Sequence, residues 1–241
     1  MLKQWQKSEC PSDEELKNRL TEARKKLELQ QMEVKEHKLP VLVLVEGWGT
    51  AGKGSVIGQV IRNIDPRFFK VVSMDTPTPE ELRKPFLARY FANIPEAGKF
   101  EFLDSGWMDE VMKERLHGKL SDEDYARRIE SIRCFERQLT DNGYLVMKFF
   151  MQISKREQEK RIDHLREKKD TRWRISKNDE WQNEHYDKCE ETFGTFLKDT
   201  NTPAAPWYIV DARSRKWAEL QVLETLTQGI ETALSNHAMA V

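Results

Sequence analysis

A glycine-rich stretch that follows a short apolar run places the strongest constraint on the fold of this chain. Residues 41–45 are apolar without a polar break, which is typical of a strand buried on both faces of a sheet. Gly47 and Gly52-Lys53 then have the spacing of a phosphate-binding loop, and apolar residues at helical spacing over 56–64 predict a helix directly after it. Strand, loop and helix together predict a Walker A site, in which backbone N–H groups and a helix N-terminus surround phosphate.

The phosphate-binding candidates are the residues of this loop: Gly47, Gly49, Thr50, Ala51, Gly52, Lys53, Gly54 and Ser55. The usual motif has Ser or Thr directly after the lysine, whereas here Gly54 follows Lys53 and Ser55 comes one place later. A glycine-rich segment before a helix can also be only a tight turn. The buried strand before it and the helix after it favour the phosphate site.

Composition limits the classes of partner. The formal net charge is −1, so no global field attracts a polyanion such as nucleic acid, and an anion site must come from local clustering. Three widely spaced cysteines are typical of a reducing compartment. With no apolar run of 18 residues and no signal-peptide core, we expect a cytoplasmic protein without membrane or nucleic-acid partners.

Predicted strands and helices alternate along the chain. Four further strands are predicted over 70–74, 100–103, 144–151 and 207–210, and helices over 12–37, 80–93, 105–118, 121–141, from 154, from 176 and over 214–234. This alternation predicts an α/β fold of the P-loop kinase type, with a five-stranded parallel sheet, helices on both faces and ligands at the strand carboxyl ends. We expect a helical N-terminal extension over 1–38 and one domain over 39–241; a disordered charged leader is the alternative for the first segment.

Asp104 is the candidate metal ligand. It follows the predicted third strand, where a nucleotide kinase keeps the acid that orients Mg²⁺. An aspartate at a strand end is also common as a helix cap, so its position alone leaves both roles open. Asp75, at the end of the second strand, is a weaker candidate.

A basic segment over about 154–178 is predicted to form a lid. Residues 154–177 contain ten cationic and five acidic side chains, in a chain whose formal net charge is −1. A mobile cationic lid over a phosphate site fits this composition, because lids carry charges that stabilise a transferring phosphoryl group. The alternative is a solvated helix face with ion pairs between successive turns.

Several separate stretches resemble the polyphosphate kinase 2 family, and the resemblance extends over about 39–226. Its motifs are the loop at 46–54, the segments 65–67, 77–81, 85–90, 95–98 and 143–150, the approach to the last strand at 200–207, and in the lid Gln158, Arg161, Arg172-Trp173-Arg174 and Asp179. Within the family the chain is most similar to the polyphosphate:AMP phosphotransferases, through FERQLTDNGYLVMKFF and TRWRISKNDEW.

The resemblance implies an enzyme that transfers the terminal phosphoryl group of inorganic polyphosphate to a nucleotide, AMP giving ADP, with ADP to ATP also possible. It implies a Mg²⁺ cofactor bound by Asp104 and a homodimer or homotetramer. We expect catalytic roles for Lys53, Asp104, Arg161 and Arg172, and polyphosphate binding by Lys168, Lys169 and Arg174. Arg89, Arg127 and Arg128 lie on predicted helices that could face the cleft at the strand carboxyl ends, so we expect them to bind the nucleotide; the alternative is that they are ordinary surface residues.

Two departures from the family pattern lie beside the proposed chemistry. The family loop carries an aspartate where this chain has Gly49, and the family motif Asp-Arg-Ser-Trp-Tyr becomes Asp-Ser-Gly-Trp-Met over 104–108. These changes leave open a catalytically weakened or inactive domain that binds nucleotide or polyphosphate. An ATP-dependent nucleotide kinase is the other alternative.

Overall fold

Five parallel strands form the centre of the computed structural model, which describes residues 2, 5, 9–74 and 76–239. The sheet order is β2-β3-β1-β4-β5, and each neighbouring pair is parallel. The strands are β1 Val41–Gly47, β2 Phe69–Ser73, β3 Phe100–Asp104, β4 Leu145–Gln152 and β5 Trp207–Asp211. The predicted five-stranded parallel sheet is therefore confirmed, and its strand carboxyl ends share one edge.

β1 lies at the middle of the sheet and is buried from Val41 to Glu46. A strand covered on both faces needs apolar side chains in both orientations, which explains the unbroken apolar run. The register pairs Val45 with Asp104 on one side and Gly47 with Met151 on the other. The glycine-rich loop therefore begins between the ends of β3 and β4.

The described helices surround this sheet, and Ser12, Ser121 and Ser154 cap three of them by accepting a backbone N–H three residues later. The α-helices are α1 Asp13–Glu36, α2 Lys53–Val60, α3 Ala88–Phe91, α4 Trp107–Leu116, α5 Asp122–Asp141, α6 Lys155–Glu167, α7 Lys177–Glu184, α8 Tyr186–Asp199 and α9 Arg215–Met239.

One helix prediction is wrong. The segment 80–93 forms only a 3₁₀ turn, Glu81–Arg83, and the four-residue α3. Pro85 explains the break, because proline lacks an N–H and pushes the preceding residue, Lys84, into an extended conformation. The helix predicted to begin at Ser176 is confirmed as α7, and α8 follows it after His185.

The N-terminal helix packs against the last helix. Leu16, Leu20, Leu27 and Val34 belong to the main hydrophobic core. Arg19 forms an ion pair with Glu224 at 2.8 Å on α9. The predicted helix over 12–37 is thus confirmed and ordered against the sheet domain, while the division at residue 38 remains a prediction.

The three cysteines, Cys10, Cys134 and Cys189, are free thiols. Among the helices in the described part of the chain, none has both the length and the apolar character needed to cross a bilayer.

Candidate active site

The loop after β1 has the backbone shape that its glycines allow. Gly47 has φ +137°, and a Cβ atom there would lie 2.5 Å from the backbone oxygen of Met151 on β4. Gly52 has φ +94° and precedes the first residue of α2. Thr50 also has positive φ, at +61°, and its hydroxyl is buried without a hydrogen-bond partner among the described residues. A non-glycine residue in this conformation is uncommon outside functional loops.

Trp48 fixes the loop to the body of the protein. Its ring is fully buried and stacks on Tyr186, with ring centroids 4.0 Å apart and planes 5° apart. Its indole Nε1–H donates to Oε1 of Gln152 at 2.7 Å, at the end of β4. The loop is thus held by a buried aromatic pair and a buried hydrogen bond.

Side chains of α6 and α7 also form hydrogen bonds with this loop. Gly49 donates its N–H to Gln182 of α7 at 3.0 Å and accepts a hydrogen bond from Gln158 of α6 at 3.2 Å. Arg161 donates to the carbonyl oxygens of Thr50, Ala51 and Ala212 at 3.2, 3.0 and 2.6 Å. Arg161 therefore joins the phosphate loop to the turn after β5, a position suited to holding the loop, and its predicted catalytic role remains untested.

Lys53 begins α2 and extends back along the loop. Its ammonium lies 3.4 and 3.5 Å from the carbonyl oxygens of Gly47 and Trp48. The N–H groups at the start of α2 have no partner within the helix, because a helix leaves its first N–H groups unsatisfied. Lys53 and this helix end together give the local positive potential that an anion site requires.

Glu46 is a buried acid that the sequence analysis did not single out. Its Oε1 accepts hydrogen bonds from the N–H groups of Met108 and Asp109 at 3.1 and 3.2 Å, in the first turn of α4. Burial, and then the negative charge of Asp109, raise the pKa of Glu46 to about 8, while the charge of Lys53 acts in the opposite direction. The sequence signal that could have identified Glu46 is the position of a charged residue at the end of an apolar strand.

Asp104 lies at the end of β3, on the opposite side of β1 from β4. One of its carboxylate oxygens is 3.0 Å from the place that a Cβ atom on Gly54 would occupy. The next residue, Ser105, has φ +63° and donates its N–H to the carbonyl oxygen of Val45 at 3.0 Å. Asp104 thus ends β3, as predicted, and lies beside the start of α2, while its role as a metal ligand remains a prediction. Asp75 lies outside the described residues.

A cavity of about 1380 Å³ opens above the loop. Lys53, Ser55 and Asp104 line the part of it that we call the floor, and α6 contributes Arg156, Lys160 and His164, which recur at intervals of four residues and so share one face of the helix. Further cationic side chains in the lining are Arg161, Arg174, Arg213 and Arg215, and further acids are Glu157, Glu159, Asp163 and Glu167. The spacing over 156–164 could have identified this face from sequence.

The tip of the predicted lid, residues 168–174, contributes fewer side chains to the cavity lining than predicted. In the described chain, Trp173 and Arg174 belong to the cavity lining, whereas Lys168, Lys169 and Arg172 do not. Arg172 is exposed and donates to the carbonyl oxygen of Arg166 within the lid at 3.3 Å. Charge content alone therefore did not identify which cations of the segment 154–178 line the cavity, and the role of this segment as a lid remains a prediction.

The three predicted nucleotide-binding arginines lie elsewhere. The Arg89 side chain is within 3.4 Å of Glu81 and 3.6 Å of Glu110. Arg128 lies over the ring of Phe86 and 3.4 Å from Glu114, while Arg127 pairs with the acids of its own helix turn. None of the three is in the lining of the large cavity in the described chain. Their nucleotide-binding role remains a prediction.

The floor of the cavity supplies oxygen donors of the kind that Mg²⁺ prefers. The Asp104 carboxylate and the Ser55 hydroxyl both line it, next to Lys53. No group of three or more His, Cys, Asp or Glu side chains suited to a metal occurs among the described residues. That donor set fits Mg²⁺, which is commonly held by one or two carboxylates together with substrate phosphates and water.

Comparisons with known proteins agree with this geometry. A curated relative from Pseudomonas syringae pv. tomato, named polyphosphate:AMP phosphotransferase, is 33% identical over 208 residues, which cover 86% of this chain and 41% of the relative. An AMP/ADP-polyphosphate phosphotransferase from Meiothermus ruber is 28% identical over 84% of this chain and 77% of its own length. The chain spans about two fifths of the length of the first of these relatives.

Solved structures show the same fold. A crystal structure of a Pseudomonas aeruginosa protein described as a polyphosphate kinase 2 superposes on this chain with a TM-score of 0.90 at 28% identity, over 96% of this chain and 50% of that chain. Polyphosphate kinase 2 from Arthrobacter aurescens superposes with a TM-score of 0.84 at 27% identity, over 88% and 77% respectively. The sequence profile of the family described as "Polyphosphate kinase 2 (PPK2)" matches residues 10–238. This chain belongs to the polyphosphate kinase 2 family.

Proposed function

We propose that this protein transfers the terminal phosphoryl group of inorganic polyphosphate to a nucleotide, with AMP as the acceptor and ADP as the product. The proposal is carried by one observation: the phosphate loop with Lys53 opens into a large cavity that six further arginine and lysine side chains line, three of them on α6 and the others at Arg174, Arg213 and Arg215. Such a cavity accommodates a chain of phosphates extending beyond the loop. The names of the relatives from Pseudomonas syringae and Meiothermus ruber support AMP as the acceptor.

The reaction needs positioning and charge neutralisation rather than covalent participation by the protein. An oxygen of the AMP phosphate attacks the terminal phosphorus of the polymer. The bond to the bridging oxygen breaks, so that ADP and a polymer shorter by one phosphate are formed. In this proposal, Lys53 and the N–H groups at the start of α2 bind the transferring phosphoryl group and stabilise the charge that develops on it.

Asp104 and Ser55 would hold Mg²⁺ at the floor of the cavity. When bound, the ion neutralises phosphate charge and orients the phosphate oxygens. Arg156, Lys160 and Arg174 line the cavity and would bind the following phosphates of the polymer. Lys168, Lys169 and Arg172 would contribute to the entrance rather than to the wall.

A donor and acceptor comparison tests the proposal. The purified protein is incubated with Mg²⁺ and AMP, ADP, GMP or GDP, with either polyphosphate or ATP as the donor, and the nucleotide products are separated and quantified. We expect formation of ADP from AMP that depends on polyphosphate and Mg²⁺. Turnover with ATP but not with polyphosphate would identify an ATP-dependent nucleotide kinase instead.

A binding domain without turnover is the second candidate, and two observations favour it. Gly49 and Ser105 replace the aspartate and the arginine of the family motifs, and each is the sequence neighbour of a residue that lines the cavity, Thr50 and Asp104 respectively. Polyphosphate or nucleotide binding measured by calorimetry, with no product from any donor and acceptor pair, would support this candidate and contradict the enzymatic one.

The expected homodimer or homotetramer is tested separately by light scattering of the purified chain. Cytoplasmic location and the expected lack of nucleic-acid partners likewise stay predictions of the sequence.

A further inference from the structure

Helix α4 begins without a side-chain cap of its own. Gly106 occupies its N-cap position and has no side chain that could accept a hydrogen bond from the first turn. A helix leaves its first N–H groups without partners inside the helix, and a buried N–H group without a partner is costly. The family motif has serine at this position, a residue that caps helices well, so the departure at Gly106 removes a local cap.

Glu46 supplies the acceptor from the neighbouring strand, β1. Its Oε1 accepts the N–H groups of Met108 and Asp109 at 3.1 and 3.2 Å, and these are the second and third residues of α4. Glu46 is 1% exposed, so both hydrogen bonds are shielded from water. Glu46 therefore acts on α4 as an N-cap side chain acts on its own helix, although it lies 62 and 63 positions earlier in the chain.

The turn that Glu46 holds in this way begins at Asp104. Ser105, the next residue, has φ +63° and donates its N–H to the carbonyl oxygen of Val45 at 3.0 Å. A serine in the left-handed conformation is strained and keeps it only where the surrounding structure holds the segment. Val45 and Glu46 are consecutive residues of β1, so the end of one strand binds both the start of the turn and the start of α4.

We propose that Glu46 is a positioning residue: from β1 it caps α4 in place of the side chain that Gly106 lacks, and it thereby fixes the orientation of Asp104 at the floor of the cavity. The effect on Mg²⁺ binding rests on the proposed function, in which Asp104 holds the ion. In this proposal the departure from the family motif at position 106 does not abolish the turn but makes it depend on Glu46.

Hydrogen–deuterium exchange over residues 105–112, without substrate or metal, tests the cap. Glu46→Met fills similar space but does not offer the carboxylate oxygen, so exchange should be about 5-fold faster or more, the scale of losing a helix cap. Glu46→Gln retains an acceptor and should stay within about 2-fold of the unmodified chain. Glu101→Met is the matched control, because Glu101 is a buried acid of β3 that forms an ion pair with Lys70 and should leave this segment unchanged.

Gly106→Ser tests whether Glu46 takes the place of a local cap. A Cβ atom there would lie 2.6 Å from Cδ1 of Leu44, the end of a flexible side chain, and 3.6 Å from Oε1 of Glu46. Alone, this change should leave exchange over 105–112 unchanged, because the first turn is already capped. Combined with Glu46→Met, it should reverse most of the increase, because the serine hydroxyl accepts an N–H of the first turn.

Three results would overturn the proposal. They are equal exchange over 105–112 in Glu46→Met and Glu101→Met, exchange in Glu46→Gln as fast as in Glu46→Met, and absence of rescue by Gly106→Ser. Because the Glu46 variants keep Gly106, the test still decides if serine is not accommodated. Glu46→Ala takes the place of Glu46→Met if the methionine variant does not fold.

Magnesium dependence connects the cap to the proposed reaction. In Glu46→Met the Mg²⁺ concentration for half-maximal ADP formation should rise by roughly 10-fold, the scale of losing a group that orients a metal ligand, and Glu101→Met should not change it. Faster exchange in Glu46→Met without any ADP formation by the unmodified chain would contradict the proposed function and leave the cap intact. Faster exchange with an unchanged Mg²⁺ dependence would contradict the link between Glu46 and Asp104.

Discussion

The phosphate loop and the lid tip carry the same kind of positive charge but are held very differently. In the loop, Trp48 is fully buried, and the backbone N–H and carbonyl oxygen of Gly49 are each hydrogen-bonded to a buried glutamine. At the tip, Trp173 is 77% exposed and Arg172 donates only to a carbonyl within the lid. The loop is anchored to the core, whereas the tip is bonded mainly to itself.

This difference affects how much each positive charge can contribute to substrate binding and to stabilising the transition state. A group fixed before substrate arrives stabilises developing charge without reorganisation, whereas an exposed side chain loses conformational freedom when it binds. We therefore expect large effects from changes in the anchored region and small, salt-sensitive effects from changes at the tip.

The largest effect is expected at Lys53. Lys53→Ala should reduce turnover by roughly 10²- to 10³-fold, the scale of losing one group that stabilises transition-state charge. Steady-state rates of ADP formation measure it, and Lys99→Ala is the control, because Lys99 is half-buried outside the cavity lining and pairs with Glu96 in its own turn. Near-normal turnover in Lys53→Ala would remove the loop from the reaction.

The anchored region should also show a pH-dependent stability that the tip lacks. The pKa of Glu46 is about 8 in the folded protein and 4.5 when unperturbed, so the folded state binds more protons between these values and stability falls as pH rises through this window. Glu46→Gln keeps the shape and the acceptor but cannot ionise. Between pH 5 and pH 8, the free energy of unfolding should therefore fall by about 3 kcal/mol less in Glu46→Gln than in the unmodified protein, at roughly 1.4 kcal/mol per pKa unit.

Urea unfolding at pH 5 and pH 8 measures this difference. Identical pH dependence in the two proteins would mean that Glu46 is ionised in the folded state at neutral pH.

Arg161 tests whether the anchoring itself matters. Arg161→Lys keeps the charge but cannot bond the carbonyl oxygens of Thr50, Ala51 and Ala212 together, because an ammonium lacks the guanidinium fork. We expect turnover to fall by roughly 10- to 100-fold through misplacement of the loop. Arg62→Lys, at an exposed arginine that bonds only Gln59, is the matched control. A fully active Arg161→Lys enzyme would show that charge alone suffices at this position.

The smallest effect is expected at the tip. The double change Lys168→Ala and Lys169→Ala should raise the KM for polyphosphate by about 2- to 5-fold without changing kcat, as for exposed ion pairs. The effect should disappear as the salt concentration rises, since exposed charges are screened. The KM is measured at low and high salt. A large loss of kcat would place these lysines with the anchored groups and break the comparison.

Sequence alone predicted the parts of the molecule that follow local rules. The apolar run over 41–45 is confirmed as the buried strand β1, and the glycines at 47 and 52 both have positive φ, a conformation that glycine adopts easily. The acid at the end of β3 was also found, because parallel strands bring their carboxyl ends to one edge.

Errors and omissions arose where tertiary contacts decide. Gln182 and Gln158 bond to Gly49 from 133 and 109 positions away along the chain, and no local pattern indicates such contacts. Two signals were present and not used. Pro85 inside a predicted helix indicated the break, and acids three and four residues before Arg127 indicated that this arginine pairs within its own helix.

The hydrogen bonds of Gln182 and Gln158 to the backbone of Gly49 have a consequence for heat inactivation. Loss of either lid helix leaves a buried peptide group of the loop without its partner, so the loop should lose its order together with the lid while the parallel strands remain folded. Catalytic half-life on warming would then be governed by this small unit, and activity would disappear several degrees before the far-ultraviolet circular dichroism signal of the sheet.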